Sequence, residues 1–254
     1  MSIVLVSILI FAVTLGAGIL GLLVHRKLPD EQKNDSARSV VGQVAGLVSL
    51  LLALVLGTLI GTSFAFFGGQ KTALESLSAT IIELDQALAQ YGPETKPARD
   101  RLKTAVEKAY DTFWGGGEAD PKLLDVSNPI AAAQGTKAFL ATLTPTTDAQ
   151  KQALASANAL VGQMEHARIL QSLQVASFPV SPGLIAVLAV WAIILFFGMG
   201  LFVQSNQLVL AAMTFGALCV AFAIFLILEL GLPYTGIFRV SPAALEEAIA
   251  NIDK

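Results

Sequence analysis

The chain has 254 residues, 54% of them hydrophobic and 14% charged, with a mean hydropathy of +0.68; ordinary soluble domains carry about 25% charged residues, so water is not its main solvent. A net charge of −3 provides no basic field for nucleic acid. One cysteine, Cys219, and two distant histidines, His25 and His166, provide neither a disulfide framework nor a thiolate or imidazole metal site.

The 35 charged residues are clustered, with 7 in 26–38, 22 in 71–168 and 6 in 229–254. The blocks 1–24, 39–70 and 169–228 carry none. A span needs roughly 20 apolar residues to cross about 30 Å of hydrocarbon, so the first two blocks hold one span each and the third holds two. The expected fold is all-α: a polytopic membrane protein with four transmembrane helices and a helical extramembrane domain between spans 2 and 3.

Span 1 covers 1–24 and lacks the positive n-region of a secretory signal, so it is expected to stay as a span. A short polar loop follows at 25–39, where Pro29, Asp30, Asn34 and Asp35 supply turn chemistry and Ser36 or Ser39 could cap the next helix. Span 2 is placed at 40–68 and closed by Gly68-Gly69. Its apolar run would be about 42 Å long, so it must tilt or protrude.

The extramembrane domain is placed at 69–180. Leu74, Leu77, Ile81, Leu84, Leu88 and Tyr91 recur at alternating spacings of 3 and 4, an a/d seam that packs within a bundle. Gly92-Pro93 ends that helix. A second amphipathic helix covers 96–114, with Leu102, Val106, Ala109 and Phe113 on one side. A glycine-rich loop is expected at 115–129, a shorter helix near 130–143, and a long helix over 149–176 capped by the turn at 144–148. Span 3 takes 181–204 and span 4 takes 205–230, an antiparallel hairpin about the uncharged turn Gln204-Ser205-Asn206-Gln207, and 231–254 is a C-terminal tail.

Gly16-Ala17-Gly18-Ile19-Leu20-Gly21 matches G-x-G-x-x-G, but inside an apolar helix with no preceding strand it reads as close helix packing. On span 2, Gly42/Gly46 and Gly57/Gly61 form two G-x-x-x-G pairs. All four glycines fall within about 100° of one helix face, which Gln43, Leu50 and Ala53 share, with Leu54 at its edge. Such a face either admits another helix closely or widens a lumen where several copies surround an axis. The candidate pore-lining or helix-packing residues are therefore Gln43, Gly46, Leu50, Leu54, Gly57, Thr58, Gly61, Thr62 and Phe64. Phe64, Phe66 and Phe67 read either as a hydrophobic constriction or as an interfacial aromatic belt.

No ionised side chain lies within the charge-free blocks that hold the spans, which argues against ion-coupled transport and leaves a passive pore. No Asp/Glu pair has a base or nucleophile beside it, so no catalytic residue, metal ligand or cofactor is assigned and no enzyme is expected. Asp85, Glu94, Arg99, Arg168 and Arg239 read as structural ion pairs or solvated charges.

Several segments together resemble the bestrophin-like family of small, mostly bacterial integral membrane proteins, whose architecture is similar to that of bestrophin anion channels. They are Leu84-Asp85, Leu88-Ala89-Gln90-Tyr91-Gly92-Pro93-Glu94, Arg99, Arg168, and Pro233-Tyr234-Thr235-Gly236-Ile237-Phe238-Arg239-Val240-Ser241. Gly231 departs from the family pattern, which has an acidic residue there, and Glu229 is the candidate substitute. The resemblance implies a homo-oligomer, a pentamer by analogy, with span 2 at the axis and the central helices building a vestibule. The calcium clasp of the eukaryotic proteins has no recognisable acidic cluster here and is not carried over.

Arg26, Lys27, Lys33 and Arg38 in the short loop mildly favour that loop inside, whereas the resemblance implies a cytoplasmic central segment. The expected function is a homo-oligomeric ion channel in the lipid bilayer, placed in the bacterial inner membrane, with ions and no nucleic acid among its partners. The alternative is a non-conducting scaffold or sensor whose helical domain binds a partner.

Overall fold

The computed structural model describes residues 2–27, 29, 35–115, 127–176 and 180–252. Among them the chain is helical with no strand: α1 (Ile3–Lys27), α2 (Asp35–Tyr91), a single 3₁₀ turn (Pro93–Thr95), α3 (Lys96–Trp114), α4 (Ser127–Ala141), α5 (Asp148–Ala176), α6 (Pro182–Leu201), α7 (Gln207–Glu229) and α8 (Ala243–Asn251). Helices α1, α2, α6 and α7 are each long and apolar enough to cross a bilayer, and the protein is an integral membrane protein of four spans. It divides into two compact units, Met1–Phe66 with Pro179–Gly231 and Phe67–Phe178 with Leu232–Lys254.

In the first unit α1 is the organising helix, because it packs along both α6 and α7, whereas the hairpin partners α6 and α7 touch each other only sparsely. Small residues make this possible. A Cβ on Gly21 would lie 3.0 Å from Gly200 Cα, one on Gly200 would lie 3.1 Å from Gly21 Cα, and one on Gly18 would lie 3.5 Å from Met213 Sδ. Gly18 and Gly21 of the G-x-G-x-x-G run therefore serve packing, as its apolar setting predicts, while a Cβ on Gly16 would meet nothing within 4 Å. His25 Nδ1 lies 2.8 Å from the Leu201 carbonyl, joining the C-terminal ends of α1 and α6, so these two helices run parallel. Ser181 caps α6 by accepting from the Leu184 N–H at 3.3 Å, and Asn206 caps α7 by accepting from the Val209 N–H at 2.8 Å.

The second unit is a bundle built on the lower half of α2. Its seam is buried inside the chain in two clusters. Leu77 and Ile81 pack with Val106 of α3 and with Leu245, Ala248 and Ile252 from α8 and the residue following it. Leu84 and Leu88 pack with Ala98, Leu140, Ala157 and Val161 from α3, α4 and α5. At the start of α5 Thr147 accepts from the Gln150 N–H at 3.2 Å while Gln150 Oε1 accepts from the Thr147 N–H at 3.3 Å, a reciprocal capping box.

Three boundary expectations change. Gly68-Gly69 does not close span 2, because α2 runs unbroken from Asp35 to Tyr91. Two glycines cost about 2 kcal/mol of helix propensity, which the buried stripe on either side outweighs. Ser39 is not a cap but lies within α2, its Oγ accepting from Gln43 Nε2 at 3.4 Å. Helix α4 starts at Ser127, so the expected loop is shorter than its glycines suggest, and its residues 116–126 lie outside the described residues, as do Asp30 and Asn34.

Candidate functional site

The membrane part of α2 presents two unlike sides. One is closed: counting in sevens, Leu56, Ser63, Gln70, Leu77, Leu84 and Tyr91 are all buried, so the stripe read from Leu74 to Tyr91 also continues toward the N-terminus. A polar hydroxyl and a polar amide at Ser63 and Gln70 interrupt the apolar alternation there, which is why periodicity alone stops at the glycines. The other side is open. A Cβ at Gly42, Gly46, Gly57 or Gly61 would meet nothing within 4 Å, and Leu50, Leu54 and Phe64 are 71%, 66% and 66% exposed. Gln43, Thr58 and Thr62 are exposed with them. The two threonine hydroxyls donate back to their own helix, Thr58 to the Leu54 carbonyl at 2.8 Å and Thr62 to the Leu59 carbonyl at 3.0 Å.

In the second unit the motif residues near the α2–α3 turn come together. Arg99 grips Asp85 with two parallel bonds, Nε to Oδ1 at 2.7 Å and Nη2 to Oδ2 at 2.8 Å, and both side chains are largely buried. This bidentate geometry fixes the register of α3 on α2. Gly92 turns the chain with φ +135°, a conformation that L side chains rarely adopt. The wholly buried Thr95 hydroxyl then lies 2.5 Å from the Leu88 carbonyl and 2.8 Å from that of Gly92, occupying acceptors that the helix end leaves over. Gln150 Nε2 donates to the Tyr91 carbonyl at 3.2 Å, so the α5 capping residue also seals α2. Tyr91 is buried and Glu94 exposed beside this turn.

The segment after span 4 builds a second polar site. Tyr234 is buried; its hydroxyl accepts from Gln171 Nε2 and donates to Gln70 Oε1 at 3.4 Å, and Gln70 Nε2 donates to Gln174 Oε1 at 3.1 Å. Burial pushes the Tyr234 pKa up to about 12, because the phenolate would lose its hydration, and the Gln171 bond offsets this in part. Phe113 and Trp114 pack on its ring with centroids 5.6 and 6.2 Å away, and Trp114 Nε1 donates to the Val240 carbonyl at 3.0 Å. Pro233 is buried and its carbonyl accepts from the Val240 N–H at 2.9 Å, which folds the motif into a closed loop. Arg239 is exposed and bonds the Gly236 carbonyl at 3.0 Å. Gln70, Gln171 and Gln174 escape sequence reading because isolated glutamines follow no period.

Glu229 is buried at the C-terminal end of α7, in the first unit. Arg168 lies on α5, beside a cavity of the second unit. Among the described residues no group of three or more His, Cys, Asp or Glu is placed to hold a metal ion. The family model described as Bestrophin-like domain matches residues 12–245 of the chain. No curated protein and no solved structure was found to match it.

Proposed function

The chain belongs to the bestrophin-like family, and from that premise we propose that it is a homo-oligomeric ion channel of the bacterial inner membrane, conducting passively along an axis lined by α2. The observation that carries this reading is the open glycine-bearing side of α2, which its own chain leaves uncovered while the opposite side is buried. Lipid alone is a poor partner for a side that also carries Gln43, Thr58 and Thr62. Copies arranged around an axis would place these groups, with Leu50 and Leu54 between them, along a narrow path that conducts by hydroxyls, backbone dipoles and hydrophobic constrictions. Five copies are the number the family architecture suggests. No ionised side chain stands on α2 between Ser39 and Gln70, so conduction would be uncoupled. On this reading the chain catalyses no reaction and binds no nucleic acid.

One observation favours the second reading, a non-conducting scaffold or sensor. The Thr58 and Thr62 hydroxyls spend their protons on their own helix, leaving the side less polar than its composition suggests. Purified oligomer in planar bilayers decides between the two. The channel reading expects unitary currents under a chloride or potassium gradient, and folded oligomer silent under both gradients would refute it.

A further inference from the structure

The second unit holds a cavity of about 290 Å³ between α2, α3, α4 and α5. At about 30 Å³ per water-sized group it has room for about ten non-hydrogen atoms. Leu84, Leu88 and Val161 give it an apolar floor, and Arg101, Glu165 and Arg168 bring charge to its wall. The Glu165 carboxylate is already taken by Lys137. Arg168 is different. It is half-buried, and no hydrogen bond or ion pair joins it to any of the described residues. Desolvation lowers its pKa from the ordinary value, yet a guanidinium keeps its proton, so the charge stays. Withdrawing a cation from water without a counter-charge is costly, and such groups are usually paired or ligand-bound.

We propose that this cavity binds a small organic carboxylate with an apolar body, the carboxylate on Arg168 and the body on Leu84, Leu88 and Val161. The planar guanidinium fork matches a carboxylate in two parallel bonds. A halide would leave most of the volume empty, and a phosphate would leave the apolar floor unused. The site is independent of whether α2 conducts.

The test uses the full-length protein in lipid nanodiscs and saturation-transfer NMR with benzoate, with benzyl alcohol as the uncharged counterpart. Benzoate should bind and benzyl alcohol should bind at least tenfold more weakly. Arg168→Gln should weaken benzoate at least tenfold while melting no lower than the parent, since it removes a charge that has no partner among the described residues. Gly135→Leu is the second variant. A Cβ there meets nothing within 4 Å, leucine is the better helix former, and its side chain would fill the cavity from α4, abolishing binding in a folded protein. Equal binding of the alcohol, undiminished benzoate binding by Gly135→Leu or by Arg168→Gln, or full displacement by 100 mM chloride would each overturn the proposal.

Discussion

Helices α1 and α2 both cross the membrane and both carry small residues at helical spacing, yet they spend them differently. Two glycines of α1 are consumed: Gly21 meets Gly200 of the same chain so closely that an added side chain would strike backbone, and Gly18 lies in contact distance of Met213, while Gly16 stays open. Those of α2 face open space, while the same helix buries another stripe from Leu56 to Tyr91. A small-residue motif therefore reports that a close approach is possible and leaves the partner undetermined. What separates a fold-forming face from an assembly-forming one is whether the rest of the chain has already filled it.

Four substitutions, one of them with a control, bear on this contrast in order of decreasing effect. Ile81→Asp attacks the closed stripe of α2 at a wholly buried position. Lost burial of about 1.5–3 kcal/mol and desolvation of a carboxylate should together cost about 4 kcal/mol or more in thermal unfolding, whereas Gln86→Asp, on an exposed position, should be neutral. Gly21→Leu attacks the closed face of α1 and should cost about 3 kcal/mol, because α1 and α6 must separate.

Tyr234→Phe probes the loop that closes the second unit. The folded state holds this phenol neutral to about pH 12, above its ordinary 10.0. Its contribution is thus fully present below pH 10 and is lost as pH rises toward 12, about 2–3 kcal/mol in all, and the phenylalanine variant should lack that part of the alkaline loss. Gly57→Leu is the mildest for the fold, within about 0.5 kcal/mol for a single chain, since its Cβ meets nothing. It should nevertheless dissociate the oligomer or reduce conductance. If both remain unchanged, this side of α2 meets lipid, and the contrast between the two helices loses its functional meaning.

The four spans, the seam of α2 and the bounds of α3 were legible because each rests on a long regular signal: a charge-free block, or apolar residues at 3.6-residue period. The continuity of α2 through Gly68-Gly69 was not, since local propensity argues for a break and only tertiary burial of Gln70 and the flanking stripe argues against it. Helix α8 was hidden for a related reason. It has nine residues, too few to show a period, and its Leu245 and Ala248 find their partner Val106 far away in the chain. Asp85 and Arg99 could be suspected as a pair from their charges. That Arg168 has no such partner among the described residues can be known only from its surroundings.

The central role of α1 also sets an order of events during synthesis. Its partners α6 and α7 begin more than 150 residues later, after α2 and the whole helical bundle. At about 5–20 residues per second the ribosome needs roughly 8–30 s to reach them. For that interval α1 sits in the bilayer with Ser7, Thr14 and its glycine face turned to lipid, and the first unit can close only once the last two spans have inserted.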